Sequence, residues 1–101
     1  MLTEQAIQDI ILRALDILNS ENGADRQITV NADTRLFGTD AALDSLSLVS
    51  VIVDVETELS TEAGRPISLT NDRAMARDTP PFTDVRALTA YSLELLAEPV
   101  L

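Results

Sequence analysis

Leu43-Asp44-Ser45-Leu46-Ser47-Leu48-Val49-Ser50-Val51-Ile52-Val53-Asp54-Val55-Glu56-Thr57-Glu58-Leu59 is the stretch whose reading decides the fold. As a strand it places Val49, Val51, Val53 and Val55 on one face, with Ser50, Asp54, Glu56 and Glu58 opposite. That is a period of two in β-branched residues, spoiled mainly by Ile52. As a helix it places Ser47, Ser50, Asp54, Thr57 and Glu58 on a polar stripe, and Leu48, Ile52, Val55 and Leu59 on an apolar one. Length settles the choice. No Gly or Pro occurs from Thr39 to Ala63, far beyond the five or six residues of a typical strand (about 20 Å). Valine loses a few tenths of a kcal/mol in a helix, against roughly 1.5–3 kcal/mol for burying a large aliphatic side chain. The stretch is therefore predicted to be a helix, with Asp44 or Ser45 at its N-cap.

Upstream, Thr3 is a good N-cap with Glu4 in the first turn. Ile7, Ile10, Ile11, Ala14, Leu15 and Leu18 then recur at helical spacing, and the helix should stop between Asn19 and Gly23. From Ala24 to Leu43 a long connection carries the scattered apolar anchors Ile28, Val30, Leu36, Phe37 and Leu43. So long a span without regular structure is uncommon in a small domain and points to a functional or self-pinned loop. Asp33 to Asp44 has the length of a calcium loop with Gly38 sixth, but Arg35 and Phe37 stand where oxygen ligands are required, which argues against that reading.

Downstream, Gly64-Arg65-Pro66 ends the central helix and Ile67-Ser68-Leu69 returns to the core. Thr70 or Asn71 caps a short helix from Asn71 to Arg77, which Asp78-Thr79-Pro80-Pro81 breaks. A last helix follows, capped by Thr83 with Asp84 in its first turn, and Phe82 placed to pack against Ala87. Val85, Leu88, Tyr91 or Ser92, and Leu95 form its inner face, and Pro99 closes it.

The 101 residues make one domain, 1–101, with enough apolar content for a core. The chain has no Cys and no His, which removes disulfides, the usual metal ligands and the usual general base. No metal site is expected. A net charge of −10 argues against nucleic acid and anionic membranes as partners and in favour of basic protein surfaces, unless it serves solubility alone. The first residues do not form a secretory signal, and no apolar run approaches the roughly 20 residues of a membrane span.

Asp44-Ser45-Leu46 heading an aliphatic helix that ends in Glu56-Thr57-Glu58-Leu59 resembles the second helix of an acyl carrier protein. Thr34-Arg35-Leu36-Phe37-Gly38 resembles the anchoring segment before the serine in that family and in its peptidyl and D-alanyl carrier relatives. The layout of helices and loop agrees along the whole chain. The resemblance implies an all-α bundle of three long helices and one short one, with the long loop joining helices one and two. It implies phosphopantetheine, taken from coenzyme A and attached to Ser45 through a phosphodiester, with Asp44 and Leu46 as motif neighbours. It further implies a cytoplasmic monomer, not an enzyme, served by a phosphopantetheinyl transferase and by acyl-ligating and acyl-transferring enzymes. These would meet Asp44, Leu46, Ser47, Val49, Ser50, Asp54 and Glu58.

Two departures from the family stand out. Fatty-acid carriers usually bear acids two and five positions after the modified serine, where this chain has Ser47 and Ser50; the acids left on or near that face are Asp44, Asp54, Glu56 and Glu58. The segment from Ser60 to Phe82 is also longer, and it carries Arg73 and Arg77. Both suggest a specialised type II carrier of acyl or aminoacyl thioesters rather than a housekeeping one, although the longer segment also reads as a tolerated insertion. The competing reading is a non-catalytic helical adaptor that binds a partner through an apolar groove. Ser45 would then be only a helix cap, worth about 1 kcal/mol. A carboxylate hydrolase has little support.

Overall fold

A computed structural model describes residues 3–38, 41–70 and 80–97. Three helices carry the fold: α1 (Glu4–Glu21), α2 (Ser45–Ala63) and α3 (Val85–Ala97). Both α2 and α3 pack against α1. Among the described residues there is no strand, only an isolated antiparallel bridge between Arg35 and Asp84. The described part of the chain is thus all-α. The expected short helix from Asn71 to Arg77, with Arg73 and Arg77, lies outside the described residues, as does Pro99.

Each helix forms for a legible reason. Thr3 Oγ1 accepts the Ala6 amide at 3.1 Å and starts α1, whose six predicted inner residues, Ile7 to Leu18, are all buried. The helix stops differently from the Asn-Gly expectation. Asn22 is extended (φ −83°, ψ 152°) and its N–H reaches back to Leu18 and Asn19 carbonyls, so no glycine freedom is used. Asn19 then clamps the outgoing chain: its Nδ2 donates to Ile28 O and its Oδ1 accepts Ile28 N, both at 2.9 Å.

Helix α2 buries Leu48, Val51, Ile52, Val55 and Leu59. Val51, 1% exposed, joins the stripe predicted from Leu48, Ile52, Val55 and Leu59. Burial of Val51 and Val55 outweighs the helix cost of these two β-branched residues. Gly64 ends the helix in the left-handed region (φ 71°), where a side chain would be strained, and its N–H bonds Ser60 O at 3.0 Å. The returning segment is held on α2: Ser60 Oγ accepts Ile67 N and a Glu56 carboxylate oxygen accepts Leu69 N. Ile67 and Leu69 are buried as predicted.

The start of α3 corrects the sequence reading. Asp84, not Thr83, supplies the cap: its Oδ1 accepts the Ala87 amide at 2.8 Å, while Thr83 Oγ1 donates to Pro80 O. A carboxylate at this position also suits the helix dipole, which a hydroxyl does not. At the other end the Arg65 Nη2 donates to Leu95 O at 3.0 Å, satisfying an orphan C-terminal carbonyl.

The connection from α1 to α2 is more structured than expected. It holds a short 3₁₀ turn, Ala24–Arg26, and then runs along the head of α3. Val85 N donates to Thr34 O, Arg86 N to Ala32 O, and Leu36 N to Thr83 O. First-turn amides of α3 are therefore satisfied by loop carbonyls. Buried Thr34 fixes the loop internally, donating to Thr29 O at 2.7 Å and accepting Asn31 N at 2.9 Å. The exposed Asp33 carboxylate meets the Arg86 guanidinium at 2.7 Å and raises its pKa above the ordinary value. Leu36 and Leu43 are buried anchors, but Phe37, predicted to be one, is 59% exposed. Leu36 follows the bridge residue Arg35 and packs inward, whereas Phe37 and Gly38 form a bend that carries the ring away from the core.

Ser92 and Leu59 offer opposite tests of this core. The fully buried Ser92 Oγ has no hydrogen-bond partner, and such an orphan costs about 1–3 kcal/mol. Ser92→Ala should therefore raise stability, by about 1 kcal/mol, whereas Leu59→Ala should lower it by about 2–5 kcal/mol. Urea unfolding of the two variants against the parent measures both.

Candidate functional site

The head of α2 is built by Asp44. This residue is extended (φ −79°, ψ 172°), and its Oδ1 accepts the Ser47 amide at 2.7 Å. Its carbonyl accepts Leu48 N at 2.9 Å, the first bond of the helix. Of the two candidates from sequence, Asp44 is the cap, and Ser45 is the first helical residue. That distinction matters chemically. A capping serine would have its oxygen tied to the backbone, whereas Ser45 is exposed and no hydrogen bond among the described residues holds its hydroxyl. The Ser45 and Leu46 amides, in the first turn, likewise have no intrahelical acceptor.

The approach to this head is fixed on the loop side. Ala42 N donates to Arg35 O at 2.8 Å, and Leu43 is buried, so the chain enters α2 from a held position. A hollow of about 490 Å³ lies beside Ser45, and Phe37, Ala41, Leu43 and Leu48 contribute to its lining. Gly38 also lines it and has φ +112°, a conformation that an L side chain would resist.

The remaining candidate residues divide between two flanks of α2. Leu46, Val49 and Val53, spaced three and seven apart, are 81%, 57% and 51% exposed. They make an apolar ridge running from the head of the helix, and Val49 and Val53 gain no core burial to offset their poor helix propensity. Ser50, Asp54, Thr57 and Glu58 are exposed on a second flank and line a groove against α1. Ser47 is half-buried and belongs to the cap through its amide. Glu56, expected near the docking face, is instead half-buried, with its carboxylate on Leu69 N.

The structure thus brings Asp44, Ser45, Leu46 and Val49 together at one end of α2, and sets Ser50, Asp54 and Glu58 apart on the α1 side. Sequence reasoning missed Val53 as part of the ridge, although its spacing from Leu46 and Val49 is the available signal. Among the described residues no group of His, Cys, Asp or Glu could hold a metal, and no helix is long and apolar enough to cross a membrane.

The two neighbours at the helix head should separate in stability. Asp44→Ala removes the cap and should cost about 0.5–2 kcal/mol. Ser45→Ala removes a free hydroxyl at an exposed first-turn position and should stay within about 0.5 kcal/mol. Thermal and urea unfolding of both variants measures the difference. No protein-family model, curated protein or solved structure matches the chain significantly.

Proposed function

We propose that the chain is a carrier of acyl or aminoacyl groups, with Ser45 as the attachment point of a phosphopantetheine arm. The observation that carries this reading is the division of labour at the head of α2. Asp44 does the capping, and the adjacent serine is exposed with an unengaged hydroxyl. A serine with no structural duty is what an external transferase needs, because modification there breaks no hydrogen bond.

The residues present suit a phosphodiester at this place. The open Ser45 and Leu46 amides and the positive end of a 19-residue helix favour an anion. The Asp44 carboxylate is a like charge nearby, partly offset because it already accepts an amide of the same turn. In the transfer, the Ser45 Oγ forms the new bond to phosphorus while the nucleotide half of coenzyme A leaves, and the serine proton passes to the transferase. The arm, once attached, supplies a terminal thiol for thioester formation. This chain's own part is to hold the arm at a capped helix head and to offer the Leu46, Val49 and Val53 ridge to a partner enzyme.

Incubation of the purified chain with coenzyme A, Mg²⁺ and a broad-specificity transferase, followed by intact-mass measurement, tests the reading. One phosphopantetheine per chain is expected, and none on Ser45→Ala. Stoichiometric addition to Ser45→Ala would remove the assignment to Ser45, and no addition to the parent chain would leave the adaptor as the better reading.

Partner choice gives a second expectation. Ser47 and Ser50 replace the acids that face synthase enzymes in housekeeping carriers, and an exposed charge pair is worth about 0.2–1 kcal/mol. Ser47→Asp with Ser50→Glu should therefore improve turnover by housekeeping fatty-acid enzymes by up to roughly tenfold. Elongation rates of the loaded parent, the double variant and a housekeeping carrier measure this. Parent rates equal to the housekeeping carrier's would contradict a specialised role without touching the carrier function.

A further inference from the structure

Between α1 and α2 lies a groove of about 500 Å³ that uses neither Ser45 nor the Leu46, Val49 and Val53 ridge. Its apolar part comes from Ile10, Ala14 and Ile17, spaced four and seven apart along α1. Ile10 and Ala14 are buried, while Ile17 is 53% exposed. Three carboxylates, Glu21, Asp54 and Glu58, line the groove against a single guanidinium, Arg13. Among the described residues no hydrogen bond or ion pair engages any of those three carboxylates.

The geometry points to this groove as a second docking site, for a cationic amphipathic segment of a partner protein. An aliphatic side chain of that segment would cover Ile17, and Arg or Lys groups beside it would meet Asp54, Glu58 and Glu21. Charge decides the occupant. A second copy of this chain would bring another net −10 towards three carboxylates, and an anionic membrane is repelled in the same way. A neutral apolar ligand would desolvate those carboxylates without pairing them. Only a segment that carries both an aliphatic residue and cations satisfies both parts of the lining. Because the groove lies on a different flank of α2 from the ridge, it can be filled while Ser45 stays open. The inference does not depend on Ser45 being modified.

The test is a titration of the ¹⁵N-labelled full chain with a synthetic amphipathic helical peptide, one leucine stripe flanked by arginines. Amide shift changes should centre on Ile10, Arg13, Ile17, Asp54 and Glu58. Asp54→Asn with Glu58→Gln should weaken binding by roughly tenfold, the loss of two exposed charge contacts. Asp9→Asn with Asp16→Asn makes the same change of net charge at exposed α1 positions outside the groove. It should alter affinity less than the groove pair does, because neither Asp9 nor Asp16 lines the groove. Ile17→Ser should weaken binding without changing net charge. The proposal is overturned by no binding, by equal weakening in the two charge-neutralised variants, by an unaffected Ile17→Ser, or by shifts centred on Leu46, Val49 and Val53.

Discussion

One hydrogen bond, from the Ser47 amide to the Asp44 carboxylate, sets the rest of the molecule's functional geometry. It fixes the residue at which α2 begins, while burial of the aliphatic stripe sets the rotation of the helix. Leu48, Val51, Ile52, Val55 and Leu59 turn into the core, and Leu46, Val49 and Val53 turn out. A helix beginning one residue later would give Ser45 the capping task and leave no free hydroxyl. The cap thus separates a structural carboxylate from a chemically available serine within two adjacent positions.

The loop before that cap has a structural role as well. Residues 32–36 give carbonyls to the first turn of α3 and receive the Ala42 amide just ahead of Asp44. The heads of α2 and α3 are therefore tied to the same short segment, which buried Thr34 and Leu36 hold in place. On the proposed carrier reading, a held scaffold would present the cargo from a defined origin and leave long flexible reach to the arm.

Where the sequence was legible, it was so because one strong period dominated. The α1 stripe and the inner face of α2 follow from aliphatic spacing alone, and length rather than propensity rejected the strand reading of the valines. The failures came where two residues could share one task. Thr83 and Asp84 are both good caps, and only the geometry of the incoming chain selects the carboxylate. Leu36 and Phe37 are both apolar, and the bend at Phe37 and Gly38 leaves only Leu36 inward. Glu56 looked like a surface acid until the return of residues 65–70 gave it the Leu69 amide, a tertiary contact that no local pattern encodes. Ser45 was singled out in sequence by its neighbours; that it does not cap its own helix needed the structure. The groove of Ile17, Asp54 and Glu58 was invisible because its two walls lie more than thirty residues apart in the chain.

The central claim is that Ser45 is exposed at a capped helix head in order to be modified. Peptide mapping of the chain purified from its own cells tests that claim most directly, by locating any added mass along the sequence. The account predicts phosphopantetheine, free or acylated, on the peptide that contains Ser45 and on no other. A chain recovered with Ser45 unmodified, from cells whose other carrier proteins are fully modified, would contradict it.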